Sequence, residues 1–202
     1  PQQPQPEYRS RSANARLIAP TWGLNGTTKT FTYTKNGQSV VVENPKQVVD
    51  VSEHDGKINW EKLKSEGIDG AILRIGWGVG YTDEYFDYNI NECKRLGIPY
   101  GLYLYSYAYD ANFAYAEAES TIERLQSYDL TDMSYPIYYD IEAFKAYNHD
   151  GATRVPPKDV NTYESIIKTY VDKMNSAGYS GKVHVYSYRS YCQNQLNSDN
   201  NC

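Results

Sequence analysis

The stretch that decides the fold is residues 47–77, QVVDVSEHDGKINWEKLKSEGIDGAILRIGW. An apolar run at its start is followed by a polar loop, a charged helical segment and a second apolar run that begins at Gly70. This order of strand, helix and strand is typical of a βα unit, in which both strands lie parallel in one sheet. We therefore predict an α/β fold with strands at 47–51 and 70–75.

The same order repeats along the rest of the chain. Apolar runs at 100–105, 137–141 and 183–186 predict three more strands. Amphipathic stripes between the strands predict helices, whose core-facing residues are Phe86, Ile90 and Cys93; Ala114, Ala118, Ile122 and Leu125; and Val160, Tyr163, Ile167, Val171 and Met174. Five parallel strands fit either a doubly wound open sheet or a β/α barrel, and both place function at the carboxyl ends of the strands.

Two further segments precede the repeats. Residues 1–18 are rich in Pro, Gln, Ser and Arg and lack apolar periodicity, which indicates a flexible linker. Residues 19–46 contain TKTFTYTKNGQSVVVE, in which Asn36 and Gly37 are the preferred residues of a tight turn between two strands. We expect a small β-hairpin extension that pairs aromatic residues with valines across the two strands, namely Phe31 and Tyr33 with Val40 and Val42.

The composition restricts the partners that this chain can bind. With a net charge of −5 and a pI near 5.2, the chain lacks the basic footprint of proteins that bind nucleic acids or anionic membranes, so we expect neither partner. No apolar run approaches the roughly 18 residues that span a bilayer, so no membrane insertion is expected. Twenty-two tyrosines against four phenylalanines either provide rings that stack on sugars or reflect the habit of a secreted protein.

Cysteines and histidines do not indicate a metal or redox site. The three cysteines include no Cys-x-x-Cys pair, and Cys192 and Cys202 either close a small loop or remain free thiols. The histidines lack a second histidine at metal-ligand spacing and are isolated at His54, His149 and His184. We expect no metal and no cofactor.

The fourth predicted strand, PIYYDIE at 136–142, carries the strongest candidates for chemistry. The two-residue period of a strand places Tyr138, Asp140 and Glu142 on the same face. Cleavage of a glycosidic bond needs one carboxyl that keeps its proton and a second carboxylate that stabilises positive charge, and two adjacent acids provide both. Asp50, inside the apolar run QVVDVS, is either a third acid of the site or a buried structural residue.

Residues near the ends of the other strands are candidates for substrate binding. The glycines after the second strand depart from a dinucleotide loop because Tyr81 occupies the last glycine position, so we expect a loop at the cleft mouth with Trp77 and Tyr81 as sugar platforms. Arg74 either contacts substrate or pairs with a carboxylate of the site. Three tyrosines alternate along the third strand and either line the cleft floor or fill the barrel: Tyr103, Tyr105 and Tyr107.

Three separated motifs resemble the glycoside hydrolase family 25 lysozymes in order, spacing and residue type. They are DVSEHDGKINWEKLKSEGIDGAILRIGWG at 50–78, FDYNINECKRLGIPYGLYLYSYA at 86–108, and PIYYDIE at 136–142. The likeness covers residues 47 to about 190. It implies a modified β/α barrel, similar to a TIM barrel, that hydrolyses the β-1,4 bond between N-acetylmuramic acid and N-acetylglucosamine in peptidoglycan.

The resemblance also implies roles for individual residues. Glu142 matches the proton donor of the family. Asp140 would steady the N-acetyl group of the substrate or stabilise the oxocarbenium-like centre, and Asp50 would support the electrostatics of the site. Substrate-assisted and covalent retaining mechanisms both stay open. Substrate binding is then expected from Tyr138, Trp77, Tyr81, Tyr105, Tyr107 and Arg74.

Members of that family continue through further strands. We therefore expect residues 47–202 to form the barrel domain, with C-terminal strands missing from this chain. The alternative function is a non-catalytic peptidoglycan-binding module with a truncated barrel. We expect a monomer that is secreted or associated with the cell wall, with peptidoglycan glycan strands as its partner.

Overall fold

The structure is a computed structural model that describes residues 20–35 and 37–196. The predicted linker at 1–18 lies outside the described residues, as do Asn36 of the predicted turn and Cys202. Cys192 is disulfide-bonded, whereas Cys93 is a buried free thiol.

Three antiparallel strands come first in the described chain: β1 (Thr21–Asn25), β2 (Thr28–Lys35) and β3 (Gln38–Glu43). The register places Phe31 opposite Val42 and Tyr33 opposite Val40, which confirms the pairing expected from the sequence. Strand β1 was not predicted, and it extends the hairpin to a three-stranded sheet.

Lys29 on β2 links this N-terminal sheet to the rest of the chain. Its Nζ donates a hydrogen bond of 3.0 Å to the carbonyl of Gly67 and pairs with the carboxylate of Asp69 at 3.5 Å. Asp69 also accepts a hydrogen bond of 2.8 Å from the amide of Gln47, just before the first strand of the main sheet.

The remaining elements are strands and helices, with short additional strands after Trp77 and Asp140. The strands are β4 (Val48–Val51), β5 (Gly70–Trp77), β6 (Tyr81–Thr82), β7 (Tyr100–Tyr105), β8 (Ile137–Asp140), β9 (Tyr147–His149), β10 (Ala152–Arg154) and β11 (Val183–Tyr186). The helices are α1 (Trp60–Ser65), α2 (Phe86–Leu96), α3 (Ala111–Ser127), α4 (Val160–Met174) and α5 (Arg189–Tyr191). Single helical turns lie at Glu53–Asp55, Asn175–Tyr179 and Cys192–Leu196.

Five parallel strands form the central sheet in the order β4, β5, β7, β8 and β11. They correspond to the five predicted strands, and each lies beside the next parallel strand of the chain. A doubly wound sheet reverses its strand order at a switch point, so the unreversed order favours the β/α barrel alternative. Within the described residues β4 and β11 end the row without pairing to each other, so the sheet is open there.

Helices cover one face of this sheet. The residues that point to that face are fully buried, namely Leu73, Ile75, Leu102, Leu104, Ile137 and Tyr139. Tyr139 marks the contact, since its ring stacks on Tyr170 of α4 with centroids 3.7 Å apart. The alternate residues of the strands point to the opposite face, which carries the candidate site.

The predicted stripes of α2 and α3 face the core. The α4 stripe is confirmed only in part: Tyr163 and Met174 are buried, whereas Val160 and Val171 lie outside the core and Ile166 and Tyr170 are buried in their place. Phe86, Ile90 and Cys93 of α2 are each at most 1% exposed. Two aspartates cap the longest helices, because Asp110 accepts a hydrogen bond from the amide of Phe113 and Asp159 accepts one from that of Thr162. These caps fix where α3 and α4 begin, in the connections that follow β7 and β10.

Candidate active site

Asp140 is a buried acid at the carboxyl end of its strand. It ends β8 and lies between Tyr105 of β7 and Tyr186 of β11 in the parallel register. Burial raises the pKa of Asp140 well above its ordinary value, and the negative charges of Glu142 and then Asp50 raise it further. Because such effects require short separations, both carboxylates lie near Asp140.

Asp50 stands on β4, on the open face of the sheet. Desolvation is the largest cause that raises its pKa, although the residue as a whole is exposed by surface area. The surrounding protein removes part of the water around the Asp50 carboxylate, although solvent still reaches the side chain. The hydroxyl of Tyr103 on β7 donates a hydrogen bond to Asp50 and opposes the rise. Asp50 therefore lies within the group of acids.

Glu142 follows β8 by two residues and is half-buried. Burial is the largest cause that raises the pKa of the Tyr105 hydroxyl, and the charges of Glu142 and Asp140 add to it. The two acids thus approach the same hydroxyl. Tyr105 in turn donates a hydrogen bond of 3.0 Å to the carbonyl of Ala143, which holds the segment that carries Glu142.

Arg74 is a buried cation whose charge acts on both Asp50 and Asp140. Its Nε pairs with Asp83 at 2.7 Å and its Nη2 approaches Glu53 at 3.4 Å. The guanidinium lowers the pKa of Asp50 and Asp140, but the two partners balance most of its charge. At 3% exposure Arg74 fits the ion-pair alternative better than contact with substrate. Sequence reasoning missed Asp83 and Glu53, because neither residue lies on a predicted strand.

A bulge in β5 brings Trp77 to the site face. The register with β7 shifts between Arg74 and Gly76, so that Trp77 lies beside Tyr105. Gly76 is required there because a Cβ atom would lie 1.8 Å from the carbonyl oxygen of Tyr81 on the returning strand β6. Tyr81 stacks on Trp77 with centroids 5.7 Å apart. Trp77 is only 4% exposed, so Tyr81 offers the more accessible ring of the two predicted platforms.

Two of the remaining predicted tyrosines have different environments. Tyr138 is half-buried beside Tyr103 in the register and points to the site face. Tyr107 lies beyond the end of β7 and is 1% exposed, with the rings of Phe144 and Tyr147 within 5.4 Å. Core packing, the alternative to lining the cleft, describes Tyr107.

Residues 20–35 and 37–196 contain neither a cluster of metal-binding side chains nor a helix that could span a membrane. No group of three or more His, Cys, Asp or Glu side chains there is arranged to hold a metal ion. None of the helices in that part of the chain has the length and apolar character to cross a membrane.

Comparison with known proteins gives consistent results. The model of glycosyl hydrolases family 25 matches residues 49–202. Lysozyme M1 of Streptomyces globisporus is 37% identical over 57 residues, which are 28% of this chain and 19% of that protein.

Solved structures resemble this fold. The modular autolysin LytC of Streptococcus pneumoniae superposes with a TM-score of 0.71 and 34% identity, over 87% of this chain and 46% of that one. It has also been solved in complex with a synthetic peptidoglycan ligand. The lysozyme of Streptomyces coelicolor has a TM-score of 0.57 at 20% identity, over 76% of this chain and 67% of that one, and supports the fold alone.

The chain spans less than half the length of the first two relatives, 19% of the lysozyme M1 sequence and 46% of the LytC chain. The family match nevertheless extends over most of this chain and includes the strands that carry all three acids. The α/β fold with its parallel sheet agrees with that match. This chain belongs to glycosyl hydrolases family 25.

Proposed function

We propose that this chain hydrolyses the β-1,4 bonds between N-acetylmuramic acid and N-acetylglucosamine in peptidoglycan. The observation that carries the proposal is the convergence of Asp50, Asp140 and Glu142 at the carboxyl ends of the strands in a family 25 chain. The ligand bound by the autolysin LytC supports peptidoglycan as the substrate class. We infer accordingly a monomer that is secreted or associated with the cell wall.

The three acids divide the chemistry between them. Hydrolysis needs a proton for the departing sugar oxygen and negative charge near the anomeric carbon as positive charge develops there. In the proposed mechanism Glu142 donates the proton. Asp140 steadies the N-acetyl group of the substrate or stabilises the oxocarbenium-like centre directly, and Asp50 supports the field of the site.

The electrostatics of the site favour retention of a proton near neutral pH. Asp140 is buried beside two like charges, and the Arg74 guanidinium that opposes them is already paired with Asp83. Carboxyls in such a group do not all ionise together, so the Asp140 and Glu142 pair holds a proton that the reaction can use. Tyr103 limits the effect at Asp50 by donating a hydrogen bond to it.

Aromatic side chains around the acids provide the proposed sugar contacts. Tyr81 and Tyr138 are the accessible members, and their rings combine an apolar face with a hydroxyl that binds sugar oxygens. Trp77 supports Tyr81 from beneath. Tyr105 acts mainly through its hydrogen bond to Ala143. Arg74 and Tyr107 are buried and support the site without direct contact with the sugar.

The test is hydrolysis of purified cell walls, followed as loss of turbidity and release of reducing ends. We expect activity in the wild type and its loss in Glu142→Gln, with normal folding because the substitution removes charge and keeps shape. Glu164→Gln on the exposed face of α4 is the matched control and should remain active.

The proposal fails if the wild type releases no reducing ends, or if Glu142→Gln is as active as the control. Retention on insoluble peptidoglycan without hydrolysis would indicate the non-catalytic binding module. Release of sugars from chitin in place of cell walls would indicate a different polysaccharide.

A further inference from the structure

Glu117 is a fully buried acid on α3, on the helix-covered side of the sheet. Its Oε2 accepts hydrogen bonds from the hydroxyls of Tyr139 at 2.6 Å and Ser106 at 2.9 Å. Its Oε1 accepts a hydrogen bond of 2.7 Å from the backbone amide of Tyr107. Both oxygens of one carboxylate are thus occupied by donors from β8 and from the residues that follow β7.

These donors lie next to the residues of the candidate site. Tyr139 directly precedes Asp140 on β8, while Ser106 follows Tyr105 at the end of β7. The same strand ends are joined directly, since the amide of Ser106 donates a hydrogen bond of 2.8 Å to the carbonyl of Asp140. Glu117 therefore binds both strands at the place where they present their site residues.

The burial of a carboxyl group at this position costs desolvation free energy. Burial raises the pKa of Glu117 to about 7, and the hydrogen bonds from Tyr139, Tyr107 and Ser106 oppose that rise. The ionisable groups that respond to its charge are the phenols of Tyr139, Tyr147 and Tyr170. In the described part of the chain no lysine or arginine pairs with it. A methionine of similar size would avoid the desolvation cost if Glu117 only filled space.

The carboxylate does what an amide or an apolar chain cannot do. Three donors point at Glu117, and its two oxygens accept from all of them. A glutamine has one acceptor oxygen and would turn an NH₂ group toward at least one of these donors. The shape of the site thus depends on two acceptor oxygens at this point.

We propose that Glu117 is a positioning residue that fixes the carboxyl ends of β7 and β8, and thereby the placement of Asp140 and Tyr105 for the reaction. This inference rests on the proposed function for its kinetic consequence. Its structural consequence, a local restraint on the Ser106 to Asp140 hydrogen bond, is independent of activity.

The test compares Glu117→Gln and Tyr139→Phe with Tyr170→Phe as the matched control. Tyr170 stacks on Tyr139 but its hydroxyl donates to Thr121 and not to Glu117, so the control removes a buried phenol hydroxyl from the same cluster. We expect kcat on soluble peptidoglycan fragments to fall about 10- to 100-fold in Glu117→Gln, and less in Tyr139→Phe, because small misplacements of reacting groups are costly. KM should change little, and the control should keep its kcat.

Amide hydrogen exchange gives a readout that needs no activity. In Glu117→Gln the Ser106 amide should exchange faster, while the Leu102 amide, bonded to Pro136 at the other end of the same strand pair, should keep its rate. Equal acceleration at both amides, or an unchanged kcat in a folded Glu117→Gln, would overturn the inference. If that variant does not fold, Tyr139→Phe decides by the same measurements. An inactive wild type refutes the proposed function alone, and the exchange data still test the restraint.

Discussion

The hydroxyl of Tyr105 donates a hydrogen bond of 3.0 Å to the carbonyl of Ala143, the residue that follows Glu142. Tyr105 is also the register partner of Asp140 on the neighbouring strand. One side chain therefore lies beside the first acid of the pair and holds the backbone next to the second. We expect this contact to help fix the separation of the two acids, because Glu142 lies beyond the last paired residue of β8.

Removal of the hydroxyl in Tyr105→Phe should lower kcat by about tenfold, since the segment with Glu142 loses a fixed point. The free energy of unfolding should fall by about 1 kcal/mol, the usual value of such a hydrogen bond. Wall-lysis kinetics and denaturant unfolding measure the two effects.

Tyr88→Phe is the control for that experiment. Tyr88 on α2 donates a hydrogen bond of 2.7 Å to the carbonyl of Ile58, so the variant loses an equivalent contact away from the acids. It should show a similar loss of stability with an unchanged kcat. Equal kcat values in the two variants would contradict the positioning of Glu142 by Tyr105.

The substitution Gly76→Ala should disrupt the cleft rim. The added Cβ atom would lie 1.8 Å from the Tyr81 carbonyl oxygen, so β6 must move away from β5. We expect a loss of about 1–3 kcal/mol in the free energy of unfolding, as for other overpacked sites. Affinity for soluble glycan fragments should weaken, because Tyr81 and Trp77 move with the rim.

Gly80→Ala, one residue before β6, separates this steric effect from backbone strain. Its φ of +81° is also unfavourable for alanine, but no atom lies within 4 Å of the added carbon. This variant should lose stability and keep its glycan affinity. Unchanged affinity in Gly76→Ala would exclude the Trp77 and Tyr81 stack from substrate binding.

The buried carboxyl of Asp140 is expected to lower the free energy of unfolding at neutral and higher pH. Its pKa is raised in the folded chain, so its contribution favours folding at low pH and is lost as the pH rises through the folded pKa. Asp140→Asn should therefore raise the free energy of unfolding near pH 8, and the difference should vanish in acid. Activity should be lost.

Asp69→Asn is a control of opposite sign for the stability measurement. The amide of Gln47 and the nearby lysines lower the pKa of Asp69, so its stabilising contribution is present at neutral pH and lost in acid. Chemical unfolding across the pH range measures both variants. A destabilised Asp140→Asn at pH 8 would be inconsistent with a strained, buried acid in the site.

Local patterns were sufficient to predict the five parallel strands of the central sheet. Buried parallel strands read as continuous apolar runs, and residues two apart on a strand must share a face. The two-residue period does not apply to Tyr107, because β7 ends at Tyr105. The side chain of Tyr107 instead packs in an aromatic cluster with Tyr147. The two-residue alternation of side chains predicts their direction only within a strand.

Contacts between distant parts of the chain were not predictable in this way. The bulge before Gly76 follows from the return of β6, and nothing in the sequence of β5 alone requires it. Arg74 is held by Asp83, which follows β6, and by Glu53 in the helical turn after β4. Glu117 has no distinguishing pattern within its helix, since its role depends on which donors the sheet presents to it.

The titration of Asp140 should depend on Glu142 more than on Asp50. Both charges raise the pKa of Asp140, Glu142 more strongly, whereas Arg74 lowers it. Glu142→Gln removes the larger repulsion and should lower the pKa of Asp140, as measured by NMR of its carboxyl carbon. Asp50→Asn should lower it by less. As the pH rises from about 4 to 8, the free energy of unfolding should also fall less in Glu142→Gln than in the wild type. The reason is that the lowered pKa of Asp140 narrows the pH range in which the folded chain holds a proton that the unfolded chain has lost. An unchanged Asp140 titration would mean that the two acids do not share one site.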